Sequence, residues 1–169
     1  MIKNRLIKRL SWYYPTEKFN IFLMVGIAVY LIYIYSFLKL VFPLYGLIIM
    51  AYILYQGQHY WKLKLWRLKG REVDESREIA FFLTSKKINL RLILLAPLVL
   101  VIQVFLLSWQ LPTETLILGL ITYGFGILEH INYYHTQLMI DNIHDVKYLI
   151  RNKKFKKASL AKDLQENKL

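Results

Sequence analysis

Charge is missing from two long stretches of this chain and crowded everywhere else. Between Phe19 and Trp61 the one residue of fixed charge is Lys39, and between Leu92 and Leu128 it is Glu114. At about 20 residues per crossing, each stretch is long enough to pass through a bilayer twice as a helix. The pattern predicts an all-α integral membrane four-helix bundle with short interfacial or cytoplasmic helices. The four-span domain is expected over residues 19–140, with spans near 19–41, 43–60, 90–109 and 115–140. Pro43 is expected to open the second span, where its missing N–H costs nothing. Gly70 suits a stop after a polar extension of that span, Pro97 a kink in the third, and Leu111-Pro112-Thr113 the turn into the fourth.

The flanks read differently. Residues 1–18 form a basic interfacial segment, with Leu6, Leu10, Trp12, Tyr13 and Tyr14 at the headgroup level. Lys3, Arg5, Lys8 and Arg9 resemble the start of a signal peptide. The apolar run after them begins only at Phe19 and is too long, so no cleavage is expected. Arg71 to Asn89 reads as a surface-lying helix carrying Ile79, Phe81, Phe82 and Leu83. Residues 141–169 read as a basic tail in which Asp141 and Ser159 are candidate helix caps and Val146, Leu149 and Ile150 make an apolar stripe.

Composition changes this picture mainly through charge. The 169 residues include 23 Lys and Arg against 11 Asp and Glu, a net charge of +12. Nucleic acid would be one reading of that excess, but the cations flank the apolar runs, where anionic lipid headgroups lie. Membrane lipid is therefore the expected partner, with Lys153, Lys154, Lys156 and Lys157 around Phe155 as the lipid-contact cluster, and no nucleic acid. The cations fall in the first segment, between Lys62 and Arg91, and after Lys147, while the two short turns lack them apart from Lys39. The positive-inside rule then places both termini and the middle loop in the cytoplasm. With no cysteine, disulfides, thiolate catalysis, iron–sulfur clusters and cysteine zinc sites are excluded.

Candidate chemistry sits at the ends of spans two and four, in Tyr55-Gln56-Gly57-Gln58-His59-Tyr60-Trp61 and Glu129-His130-Ile131-Asn132-Tyr133-Tyr134-His135. At about 100° per residue, Thr122, Gly126, Glu129, Asn132, Tyr133 and Thr136 share one face of span four, with Gly119 at its edge. Tyr45, Tyr52, Tyr55, Gln56 and His59 share one face of span two. The simplest packing sets these faces together, bringing Gln56 and His59 to Glu129 and Asn132, with Tyr133 beside them as a ligand-binding candidate. A carboxylate such as Glu129 at the edge of a span must be paired, neutralised or wetted. It could bind a proton, a metal or a substrate, or act as a structural hydrogen-bond clamp. As a catalytic group it would work with His59 or His135. A metal would need His59, Glu129 and His130 or His135 from several helices, since no H-E-x-x-H pattern is present. Bis-histidine haem would pair His59 with His130 or His135. No cofactor is expected. Gln103, alone in the depth of span three, reads as an interhelical hydrogen bond, and no span carries the paired mid-membrane charges of a coupled transporter.

At an offset of 73 residues span one falls on span three and span two on span four, so that Gly46 meets Gly119 and Gln56 meets Glu129, a weak internal repeat. The segments QGQHYWKLKLWRLKG and ILEHINYYHTQLMIDNIHDVKYLIRNKKFKKASLAKDL resemble a group of small bacterial membrane proteins of unknown function, some labelled "general stress protein". That resemblance implies four spans in a bacterial cytoplasmic membrane and brings no activity or catalytic residue. The expected function is a structural or interaction component of that membrane, as a homo-oligomer or within a larger assembly. A membrane enzyme acting on a lipid headgroup or lipid-linked substrate is the alternative, and a metal- or haem-binding bundle the lesser one.

Overall fold

The long apolar runs become four long helices. The computed structural model describes residues 2–140 and 143–169, and the candidate cap Asp141 lies outside the described residues. In chain order the helices are α1 (Ile2–Ile34), α2 (Phe37–Leu68), α3 (Glu75–Leu106), α4 (Thr113–Tyr134), α5 (Ile143–Asn152) and α6 (Ser159–Gln165). The first four are long and apolar enough to cross a membrane. Consecutive long helices run in opposite directions, so the starts of α1 and α3 meet the ends of α2 and α4. All the basic flanks therefore gather at one end of the bundle.

Several boundaries depart from the sequence pattern. The basic first segment is continuous with the first apolar run in one helix. The turn after it falls at Tyr35 and Ser36, which places Pro43 inside α2 rather than at its start. Likewise Arg71–Asn89 is no separate surface helix. Asp74 caps α3 by accepting from Arg77 N at 3.1 Å, and Ile79 and Phe82 are buried in the core at the polar end. The fourth helix stops at Tyr134, six residues early. Ser159 is the first residue of α6, whose cap position is Ala158.

Helix α2 is central. Half of its apolar window is buried, against 6% for that of α1, and it packs on α1, α3 and α4. Gly46 lets α4 come close: a Cβ there would stand 2.8 Å from the Tyr123 backbone nitrogen. The outer surface remains apolar, with Phe22, Leu94, Leu98, Phe105, Ile117 and Phe125 all exposed, as lipid contact requires.

The two prolines inside α2 and α3 each leave a carbonyl four residues back without its helical donor. For Pro43 that carbonyl is Lys39 O, and Gln103 of α3 supplies the donor, Nε2 to O at 2.7 Å. The same amide also donates to Leu38 O and accepts from Phe42 N at 2.8 Å. For Pro97 the carbonyl is Ile93 O, and the Tyr123 hydroxyl of α4 donates to it at 3.1 Å, while Tyr45 of α2 donates to the adjacent Leu92 O. Both kinks are thus splinted by a side chain from the next helix, which apolar surroundings make obligatory.

Replacing Gln103 by Leu should cost about 1–3 kcal/mol, the penalty for leaving buried backbone groups unpaired. In a Pro43→Ala background the loss should shrink, because position 43 then has an N–H for Lys39 O. Unfolding of the four proteins in mild detergent would measure this, and equal losses in both backgrounds would contradict the splint.

Candidate functional site

The polar residues near the basic end separate into two seams. In the first, between α2 and α3, Gln56 and Asn89 face each other as a closed amide pair. Gln56 Nε2 donates to Asn89 Oδ1 at 2.9 Å and Asn89 Nδ2 donates back to Gln56 Oε1 at 2.8 Å. Tyr134 of α4 donates its hydroxyl to the same Gln56 oxygen at 2.5 Å. Gln56 and Asn89 are fully buried, so this is a satisfied interhelical clamp and leaves no room for a ligand. One turn further, His59 Nε2 lies 2.7 Å from Glu78 Oε2 of α3, its ring stacked on Tyr55 and packed against Phe81 and Phe82.

The expected meeting of Gln56 and His59 with Glu129 and Asn132 is therefore not made. The polar face of α2 turns to α3. The face it presents to α4 is instead one of small and aliphatic residues, in which Gly46 lies against Thr122, Ile49 against Gly126 and Gly57 against Tyr133. With its Nε2 at Glu78, His59 is turned to α3 and is not gathered with the carboxylate and histidines of α4 among the described residues.

Glu129, Asn132 and Tyr133 belong to the second seam, a cleft of about 250 Å³ between α1, α2, α4, the chain just after α4 and the start of α6. Its walls include Trp12, Tyr13 and Trp61, and its polar groups include Arg9, Glu17 and Asn20. Glu129 is half-buried, and Asn132 Nδ2 donates to it at a long 3.4 Å. The other end of Asn132 is fixed, because its Oδ1 accepts from Leu138 N and Met139 N and so turns the chain after α4 back along the helix. Tyr133 lies over Gly57, and its hydroxyl donates to Glu17 Oε1 at 2.6 Å, which carries α1 across to α4. No Lys, Arg or His lies within ion-pair distance of Glu129 among the described residues. The offset of 73 that aligns Gln56 with Glu129 also aligns Asn89 with Thr16, another cleft residue. One seam is closed by two amides, and the corresponding seam is open.

The remaining candidates lie outside the cleft. His130 is buried with its ring 5.2 Å from that of Tyr134 and 5.4 Å from that of His135, and its Nδ1 has no hydrogen-bond partner. His135 follows α4. Partial burial, and then Lys86 beside it, hold its pKa below the ordinary imidazole range. Among the described residues no three His, Asp or Glu side chains come together to hold a metal, so the set of His59, Glu129 and His130 or His135 is not assembled. Of the cations after Trp61, Lys64 pairs with Asp163 at 2.7 Å and Arg67 with Glu75 at 2.9 Å.

The tail contributes more than sequence suggested. Leu160, Ala161 and Leu169 are buried against the bundle end, and Asp163 accepts from the Tyr60 hydroxyl at 2.6 Å. Within the lipid-contact cluster Lys156 is held by Asp145 and Lys157 by Gln165, while Lys153 and Lys154 are exposed. Trp12 and Glu17 are cleft residues from the segment 1–18 that sequence reasoning read only as interfacial. The one available signal was their shared distance from the apolar runs.

Substituting Gly57 by Ala would place a methyl group 2.7 Å from Tyr133 Cε1, and closer still to its Cζ and hydroxyl oxygen. An overpacked contact of this kind costs about 1–3 kcal/mol, read as a lower unfolding midpoint in detergent. An unchanged midpoint would mean that Tyr133 is not wedged over Gly57. In comparisons with known proteins the chain matches no family model, no curated protein and no solved structure.

Proposed function

We propose that this chain is a small multi-pass protein of a bacterial cytoplasmic membrane, with both termini inside. On this reading it works as an interaction component, by binding rather than by chemistry. The observation that carries the reading is the open cleft at the basic end, where the head of a membrane amphiphile can enter between α1 and α4. Its polar and aromatic lining suits the water–lipid boundary, where one side of a ligand is wet and the other apolar. Helix α5 adds a second contact with the membrane. Its Ile143, Val146 and Ile150 are exposed beside Lys147 and Arg151, and Lys153 and Lys154 follow. An amphipathic helix of this composition lies in the headgroup plane and favours anionic lipid.

An enzyme acting on a lipid headgroup keeps one specific support, the half-buried Glu129 facing the cleft. Glu129→Gln preserves shape and removes the charge. A variant that leaves cellular phenotype and lipid profile unchanged would exclude that reading.

Native mass spectrometry after extraction in mild detergent should show bound lipid, a second copy or a partner protein. A strictly monomeric, lipid-free species would contradict the binding role. The chain has no cysteine of its own, so single cysteines report topology cleanly. Cysteines replacing Glu72 and Lys168 should resist an impermeant thiol reagent in intact cells, and those replacing Ser36 and Gln110 should react. Labelling at position 72 would overturn the four-span arrangement.

A further inference from the structure

We infer that the cleft selects amphiphiles with a cationic head, an alkylamine or alkylammonium group held at Glu129 among aromatic rings. This rests on the reading of the cleft as an amphiphile site and specifies the chemistry of its ligand.

Four observations converge on it. First, Glu129 lines the cleft half-buried, with one long amide contact and no cation within ion-pair distance among the described residues. A carboxylate so placed gains more from a ligand cation than an already paired one would. Second, a further carboxylate, Glu17, lines the same cavity, and the Tyr133 hydroxyl fixes its position. Third, the walls are Trp12, Tyr13 and Trp61, with the Tyr13 and Trp61 rings 5.7 Å apart at an angle of 56°. The Arg9 guanidinium already lies 5.0 Å from the centre of the Tyr13 ring, so the indoles of Trp12 and Trp61 are the aromatic wall left to attract a ligand cation. Fourth, the volume of about 250 Å³ is below the roughly 300–1,000 Å³ that encloses a whole drug-sized ligand. The cavity holds a head and leaves a hydrocarbon tail outside, against exposed apolar residues of α1 such as Phe19 and Phe22.

The order of charges along α1 argues against an aminophospholipid of the inner leaflet. In such a lipid the phosphate lies on the membrane side of the amine or level with it. Here the carboxylates Glu17 and Glu129 are on the membrane side, and Arg9 is two turns of α1 further toward the basic end. Arg9 is moreover engaged with Tyr13, its Nε donating to the hydroxyl at 2.8 Å. A simple amine with an apolar tail matches this order: tail in the membrane, cation at the carboxylates, and no anion required beside it.

The test uses the full chain in nanodiscs of neutral lipid. It is titrated with three twelve-carbon amphiphiles below their micellar concentrations: dodecyltrimethylammonium, dodecyl maltoside and dodecyl phosphate. Intrinsic tryptophan emission is the readout, with Trp12→Phe and Trp61→Phe assigning the signal. Saturable binding of the ammonium compound is expected at least about tenfold tighter than of the other two, a margin equal to one charge-assisted contact. Glu129→Gln should erase that preference, bringing the ammonium compound to the affinity of the maltoside. Equal affinity for all three, or tighter binding of the phosphate, would overturn the cationic assignment and leave the amphiphile site standing. No saturable binding of any of them would overturn both. Should Glu129→Gln not fold, the ranking of the three compounds on the unaltered protein decides the matter alone.

Discussion

A backbone carbonyl without a donor is costly in apolar surroundings, and this bundle is organised around two of them. Pro43 and Pro97 interrupt the hydrogen-bond ladders of α2 and α3, and each gap is filled by a side chain of a neighbouring helix. Gln103 reaches from α3 to α2, and Tyr123 reaches from α4 to α3. Because these donors must sit at one depth and on one face, they set the rotation and height of α2, α3 and α4 relative to one another. Apolar packing alone is too forgiving in lipid to do that, since hydrocarbon tails compete equally for every Leu and Ile.

The rotation has a consequence at the basic end. With Tyr45 committed to Leu92 and Gln56 to Asn89, the polar stripe of α2 is used up on α3. What α2 offers α4 is glycine and aliphatic surface, which suits close contact through Gly46, Gly57 and Gly126. Of the stripe on α4, Thr122, Gly126 and Tyr133 lie against α2, and Glu129 and Asn132 are left lining the cleft beside α1, the least buried of the long helices. Tyr133 bonded to Glu17 bridges that gap, and the remainder of the gap is the cleft. An acidic, aromatic cavity beside the least buried long helix follows from a surplus of polar groups on one seam after another seam has been closed.

The tail shows the same economy. A stretch that reads as a loose basic anchor divides into two parts. Helix α6 closes the bundle end through Leu160 and Asp163, and helix α5 keeps its apolar stripe outward. The latter, followed by the exposed Lys153 and Lys154, is left on the surface. Lysines such as Lys156 have their charge satisfied within the chain.

The number of long helices, their apolar character and the gathering of cations at one end were legible in the sequence, because length and charge placement are local properties. Gln103 was legible too: a lone amide in an apolar run has to bond across helices. Helix boundaries were not, since Pro43 and the basic first segment continue helices that their local chemistry would end. Their reason is tertiary, in the Gln103 donor for one and the contact of Glu17 with α4 for the other. Two polar stripes at matching depth suggested one shared site for His59 and Glu129. Sequence periodicity reports which residues share a face and says nothing about which helix that face meets. That choice fell to the amide pair, the proline splints and the glycine contacts, and it sent His59 to Glu78 and left Glu129 in the cleft.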